Sequence, residues 1–272
     1  MKFMLAGMKL YKPLSDLADL PGLVPVWPAP ARVKAFMSTR DGGVSPPPWA
    51  SLNLGAHVGD DPSRVERNRG LLQSALGARP LFLDQVHGTG VVTLTGPENT
   101  GVQADACITE TAGLACAIMV ADCLPVLLCD RGGRWVAAAH AGWRGLAAGV
   151  LESLVKAATA RGTAPAEMLA WLGPCIGPAV FQVGDEVRQA FLDTDPDCGH
   201  FFLPDAEGKW LADLPGLARR RLTRLGLQQI DGHDGRPEWC TVSNASSFFS
   251  HRRDAGVFGS SGRMAALVWL EG

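Results

Sequence analysis

The chain has 272 residues, 47% of them hydrophobic, together with 32 glycines and 19 prolines, enough to bury a substantial core while turning often, and too few charges to stay disordered. A formal net charge of −2 excludes general electrostatic attraction to nucleic acid or to anionic membrane, so the expected partner is a small molecule. Seven cysteines, an odd number without regular spacing, argue against a disulfide framework and for reduced thiols in a cytoplasmic protein.

At the N-terminus, MKFMLAGMKLYK carries too short an apolar core for a signal peptide. Pro21, Pro25, Pro28 and Pro30 predict irregular backbone before a short strand at Val33–Ser38. That strand delivers Arg40, a candidate anion clamp or loop tether, into a Gly- and Pro-rich loop over 41–48. Asp61 as N-cap and Pro62 at the first helical position predict a helix carrying Val65, Leu71, Leu72 and Leu76 and stopped by Gly77. Asn68 on that helix reads as a cap or a solvent-facing polar residue. A strand from Leu81 is expected to end in His87, and a further strand follows at Val91–Leu94. Asp105 opens a segment running through Cys107 to Cys116.

The stretch from Gly113 to Val155 organises the chain. Its longest apolar region, Leu114–Leu128, is interrupted by Asp122 and too short to span a bilayer. Val126–Cys129 and Trp135–Ala139, joined by Asp130-Arg131-Gly132-Gly133, predict a hairpin. A register in which Cys129 faces Arg134 sets Cys123 directly across from His140, close enough to share one ion or one proton. Pro125 cannot donate to the ladder and invites a bulge. Asp122 would point to the opposite face from Cys123, as a structural acceptor.

After Gly142 and Gly145, Leu146, Val150, Leu151, Leu154, Val155 and Ala158 recur at helical spacing, with Gly162 at the end. A strand at Met168–Leu172 runs into a Gly/Pro turn holding Cys175, a nucleophile, a ligand or a buried free thiol. Helices are predicted at Asp185–Phe191 and Leu211–Leu225, with Arg219, Arg220, Arg221 and Arg224 as the solvated face of the second. Arg252, Arg253 and Arg263 could bind an oxyanion, and Met264–Leu270 is a closing strand. No repeat, low-complexity tract or linker divides the chain, which predicts one domain over 1–272.

His87, Cys123 and His140 all fall beside turns. Two imidazoles and a thiolate leave a fourth position for water or substrate, as catalytic zinc requires, although their spacing matches no compact metal signature. Copper also accepts His2Cys ligation, but no His-x-His pair of a multicopper oxidase is present. A metal-free dyad in which His140 deprotonates Cys123 would instead make a hydrolase, and a fourth protein ligand would close a structural site.

Seven motifs fall in order: Ser38-Thr39-Arg40-Asp41-Gly42-Gly43-Val44-Ser45, Ser51-Leu52-Asn53-Leu54-Gly55, Asp84-Gln85-Val86-His87-Gly88, Ala121-Asp122-Cys123-Leu124-Pro125, His140-Ala141-Gly142-Trp143-Arg144-Gly145, Gly173-Pro174-Cys175-Ile176-Gly177 and Phe248-Phe249-Ser250-His251-Arg252-Arg253. Together they resemble the YfiH-like family, also called laccase-domain proteins. The resemblance implies an α/β fold, an α+β mixed-sheet sandwich with flanking helices of the cysteine-hydrolase type. It implies one zinc on His87, Cys123 and His140, which would also be the catalytic residues. Arg40, Asn53, Gln85, Arg144 and Cys175 are implied as substrate-binding positions, with purine nucleoside and phosphate as partners. The family is described as phosphorolysing adenosine, inosine and methylthioadenosine and deaminating adenosine; an earlier naming made it a copper-dependent polyphenol oxidase.

Overall fold

The apolar runs become strands with both faces covered. In chain order they are β1 (Gly22–Leu23), β2 (Val33–Ser38), β3 (Arg79–Phe82), β4 (Val91–Thr93), β5 (Ala106–Thr109), β6 (Leu114–Val120), β7 (Leu124–Asp130), β8 (Val136–Ala141), β9 (Met168–Leu172), β10 (Gln182–Gly184), β11 (Phe202–Pro204), β12 (Lys209–Ala212), β13 (Gln229–Gly232) and β14 (Met264–Leu270). The α-helices are α1 (Pro62–Leu76), α2 (Trp143–Ala148), α3 (Val150–Thr159), α4 (Asp185–Leu192), α5 (Leu214–Arg224) and α6 (His251–Phe258). The computed structural model describes residues 20–272, so the signal-peptide consideration at the N-terminus lies outside the described residues.

One sheet has the order β1-β2-β14-β6-β3, a second β13-β9-β7-β8-β5-β4, and β10-β12-β11 form a small third sheet. Both large sheets are mixed: β3 pairs parallel with β6, β4 with β5 and β13 with β9, and the remaining pairs are antiparallel. Alternation along the strands sorts the layers. Met264, Ala266, Val268 and Leu270 of β14 join Leu127, Ala138 and Trp171 of the second sheet in one buried cluster, while Ala265, Leu267 and Trp269 turn the other way to Leu72 and Leu76 of α1. The far face of the second sheet, with Val126, Leu128, Ala137 and Ala139, packs on Leu146, Val150, Leu154 and Leu217 of α2, α3 and α5. The order helix, sheet, sheet, helix is the expected mixed-sheet sandwich. Strands buried on both sides read as continuous apolar runs, which explains the sequence pattern. No helix among the described residues is long and apolar enough to cross a membrane.

Several elements fall where the pattern puts them. β2, β9 and β14 match their expected bounds, and α1 has Asp61 accepting from the Ser63 amide, Pro62 in its first turn and Gly77 in the left-handed conformation at its end. Others differ for identifiable reasons. The hairpin pairs Cys129 with Val136 and Pro125 with His140, two residues away from the expected register. The Asp130 carboxylate accepts from the backbone amides of Arg134 and Trp135, at 2.6 and 3.3 Å, and so holds a longer loop. Cys123 therefore does not face His140 across the ladder, and the ladder runs through Pro125 without a bulge.

The strand before His87 stops at Phe82. The helix expected after Gly145 is two helices, parted at Gly149 with φ 102°. Leu211 belongs to β12, because Asp213 caps α5 by accepting from the Gly216 amide. Asn68 is buried, not solvent-facing: its amide joins Val44, Ser45, Ser51 and Asn53. Nor are the α5 arginines merely a solvated face. Arg219 donates to the carbonyls of Ile230 and His233, Arg220 to Asp195, and buried Arg221 to Glu152 and Thr194.

Candidate metal centre

His87, Cys123 and His140 converge although no two share an element. His140 is in β8; Cys123 lies in the turn before β7; His87 is in the loop between β3 and β4. Their donor atoms all lie within 4.8 Å of one another, with Cys123 Sγ 3.7 Å from His87 Nε2. A tetrahedral zinc with ligands at 2.0–2.3 Å separates a nitrogen from a sulfur donor by roughly 3.6 Å, so the set suits a single ion. Among the described residues it is the one group of three or more such side chains so placed.

One donor and the neighbour of another adopt positive φ, His87 at 61° and Asp122 at 86°. A non-glycine residue there is uncommon and persists when its surroundings hold it. Gly142 gives the donors room: a Cβ on it would sit 2.9 Å from His87 Cδ2 and 3.0 Å from Cys123 Sγ.

A fully buried carboxylate, Asp105, organises the centre. Its Oδ1 accepts from His140 Nδ1 at 2.8 Å and from the His87 amide at 2.9 Å; its Oδ2 accepts from the Gly88 and Val86 amides at 2.6 and 3.2 Å. With Nδ1 so engaged, His140 offers Nε2 to an ion, the arrangement in which a carboxylate orients a metal-binding imidazole. Burial pushes Asp105 up, but His140 and the Gly88 and Val86 amides outweigh it and hold the acid below its ordinary value. Burial likewise pushes the Cys123 thiol up, and the neighbouring His140 and His87 overcome it, bringing Cys123 down to about 6. For His140 the downward push of burial is outweighed by Cys123 and Asp105, which raise it to about 9. Both shifts favour a thiolate beside an imidazolium when no metal is bound.

The remaining expected positions are spread around this centre. Arg144 lines a cleft of about 240 Å³ with Trp143, Phe181, Glu186, Lys209 and Arg252. Trp143 follows Gly142 directly, and the Arg252 amide donates to Asp122, so the cleft adjoins the cluster. Arg40 donates to the carbonyls of Ala50 and Ala245, tethering its loop. Fully buried Asn53 bonds Gly55, Asp60 and the Arg263 amide. Gln85 exchanges two bonds with the Met119 backbone. Cys175 is fully buried, and burial raises its thiol well above the ordinary value. Asp122 accepts from Thr241, Ser250 and the Arg252 amide, a structural acceptor as expected. The orienting role of Asp105 was not legible in the sequence; its only signal is an acid opening an apolar strand.

A four-layer mixed sandwich with an open His2Cys cluster at its strand ends defines a recognisable class of protein. Residues 34–271 match the family described as multi-copper polyphenol oxidoreductase laccase, and the chain belongs to this laccase-domain, YfiH-like family. It is 50% identical over 250 residues to the Escherichia coli (strain K12) protein named purine nucleoside phosphorylase YfiH, spanning 91% of this chain and 98% of that protein. Its fold is similar to a Neisseria meningitidis crystal structure described under DUF152, with TM-score 0.86 and 47% identity over 92% of this chain and 99% of that one. It is also similar to YlmD from Geobacillus stearothermophilus, with TM-score 0.86 and 31% identity over 97% and 99%.

Proposed function

We propose that the protein is a zinc-dependent purine nucleoside phosphorylase acting on adenosine, inosine and methylthioadenosine, and that the same centre deaminates adenosine. The observation that carries this reading is the open cluster of His87, Cys123 and His140 oriented by Asp105. The name of the relative at 50% identity supports the reaction class. His87, Cys123 and His140 would hold the zinc, which when bound supplies a Lewis acid and lowers the pKa of water toward neutrality.

The chain's own residues do the rest. Asp105 fixes the His140 ring, so its Nε2 lone pair points at the cluster and not at bulk water. Trp143, Phe181 and Arg144 give the adjoining cleft aromatic and cationic surfaces for a nucleoside. In phosphorolysis a phosphate oxygen bonds to C1′ as the bond from C1′ to the base nitrogen breaks. The electron pair leaves with the purine, which takes up a proton. Positioning the two substrates side by side is the main task of the surrounding residues.

Purified protein is expected to contain about one zinc per chain and to release hypoxanthine from inosine only when phosphate is present. Absence of turnover in a zinc-replete sample overturns the reading. The thiolate beside an imidazolium favours a second reading, a Cys123–His140 hydrolase, in which ester or amide hydrolysis survives removal of all metal. The family description keeps copper chemistry in play, for which the sign is copper-dependent oxygen uptake with phenols.

A further inference from the structure

On the side of the centre formed by residues 53–57, two arginines converge on one turn. Arg69 Nε donates to the Leu54 carbonyl at 2.9 Å, its guanidinium lies 4.1 Å over the Phe82 ring, and Nη2 is 3.8 Å from Met119 Sδ. The Arg263 backbone is pinned to the same turn, its amide donating to Asn53 Oδ1 at 2.9 Å and its carbonyl accepting from Leu54 at 3.0 Å. Gly55 lets the side chain pass, since a Cβ there would lie 2.7 Å from Arg263 Cγ. The Arg263 Nη1 donates to the carbonyls of Ser261 and Gly262. Nη1 of Arg69, and Nε and Nη2 of Arg263, have no hydrogen-bond partner among the described residues, and none of these atoms is sealed from solvent.

Neither guanidinium forms an ion pair with an acid among the described residues, whereas Arg220, Arg221 and Arg253 all do. Arg263 precedes Met264, which pairs with Val120 three residues before Cys123, and Arg69 reaches Met119 of the same strand, so both guanidiniums lie toward the metal cluster. Burial lowers Arg69 with no anion to offset it. His57 follows on the same turn and is exposed. Partly buried cations without a counterion are costly unless a ligand supplies the anion. The cleft beyond Trp143 differs, because Glu186 stands among its cations.

We infer that Arg69 and Arg263, with His57 beside them, form the binding wall for inorganic phosphate. The inference rests on the phosphorylase reading and locates its second substrate. Planar guanidiniums with free N–H edges match phosphate oxygens. The wall flanks the ends of β6 and β14 where Met264 pairs with Val120, three residues before Cys123, so an oxygen bound there approaches the sugar carbon from the cluster side.

The test uses the metal-containing protein with Arg263→Gln, Arg263→Lys and His57→Gln. His57 is exposed and makes no side-chain hydrogen bond among the described residues, so its replacement spares the fold. Arg263→Gln should raise the phosphate KM about tenfold or more and His57→Gln by a few-fold, with the inosine KM moving less than about twofold and Lys recovering part of the loss. Phosphate titration followed by calorimetry should show the same order of affinities without turnover. Equal phosphate affinity in wild type and both Gln variants overturns the inference, as does a loss confined to inosine or binding of AMP in place of phosphate. Wild type that binds phosphate on this wall yet never cleaves inosine overturns the phosphorylase reading and leaves the anion site standing.

Discussion

Asp105→Asn is the most informative single change, because it keeps the shape of a buried side chain and reverses half its hydrogen-bonding. Each oxygen of Asp105 accepts two donors: His140 Nδ1 and the His87 amide at Oδ1, the Gly88 and Val86 amides at Oδ2. An amide must present its NH2 at one of those edges, so two of the four donors meet another donor whichever way it turns. A buried bond to a charged acceptor contributes about 1.5–3 kcal/mol, so losing two should destabilise the fold by about 3–6 kcal/mol. That is a large share of a typical stability of about 5–15 kcal/mol. Freed from its anchor, His140 also loses its fixed tautomer, which should weaken zinc binding about 10- to 100-fold. Urea unfolding of the metal-free protein measures the first effect, and zinc competition against a chromogenic chelator the second. An unchanged midpoint together with zinc affinity within about twofold of wild type would falsify the assignment of Asp105 as the organiser of the centre.

Gly142→Ala should damage the centre and spare the fold. The backbone there, φ −61° and ψ 155°, suits alanine, but the added methyl would press on His87 and Cys123, so zinc affinity should fall about tenfold or more with the unfolding midpoint nearly unchanged. Normal zinc binding in that variant would show that the donors have slack. Acid stability should report His233, which burial pushes down to about 3. Its folded value lies below the unfolded value of about 6.5, so its contribution is complete above that pH and is lost as pH falls from about 6.5 toward 3. Between pH 6.5 and 4.5 the loss approaches about 2 kcal/mol. In urea melts, His233→Asn should show a smaller decline than wild type over this window; parallel declines exclude His233 as a source.

What was legible in the sequence was what local patterning determines. β2, β9 and β14 are apolar runs bounded by polar or turn residues, and α1 carries both its caps in its own sequence. The three donors were found because each sits beside a turn and has metal-binding chemistry. The register of the β7–β8 hairpin was not legible, since it depends on Asp130 folding back on Arg134 and Trp135. Asn68 and Arg221 look like surface residues on an amphipathic helix until distant segments supply their partners. His57 and Arg69 carry no local signal at all. Their significance is that Arg69 meets Arg263 on one turn without a paired acid, and only the folded arrangement brings that turn together.

The centre couples two strained turns to two buried or nearly buried carboxylates. Asp105 gathers three consecutive amides of the His87 turn, compensating the left-handed conformation of His87 with bonds that a relaxed loop would forfeit. Asp122, itself left-handed, accepts from Thr241 at 2.6 Å, from the α6 N-cap Ser250 at 3.0 Å and from the Arg252 amide at 2.6 Å. It thereby fastens the turn bearing Cys123 to the N-terminus of α6, where the helix dipole favours a negative charge. Both turns are thus fixed by elements remote in sequence, and β8 carries the third donor on a central strand of the larger sheet. Donors held this way would stand in place before any ion arrived, so little ordering would oppose binding, and a rigid three-donor set with exposed His87 on one side would leave a position for a reactant.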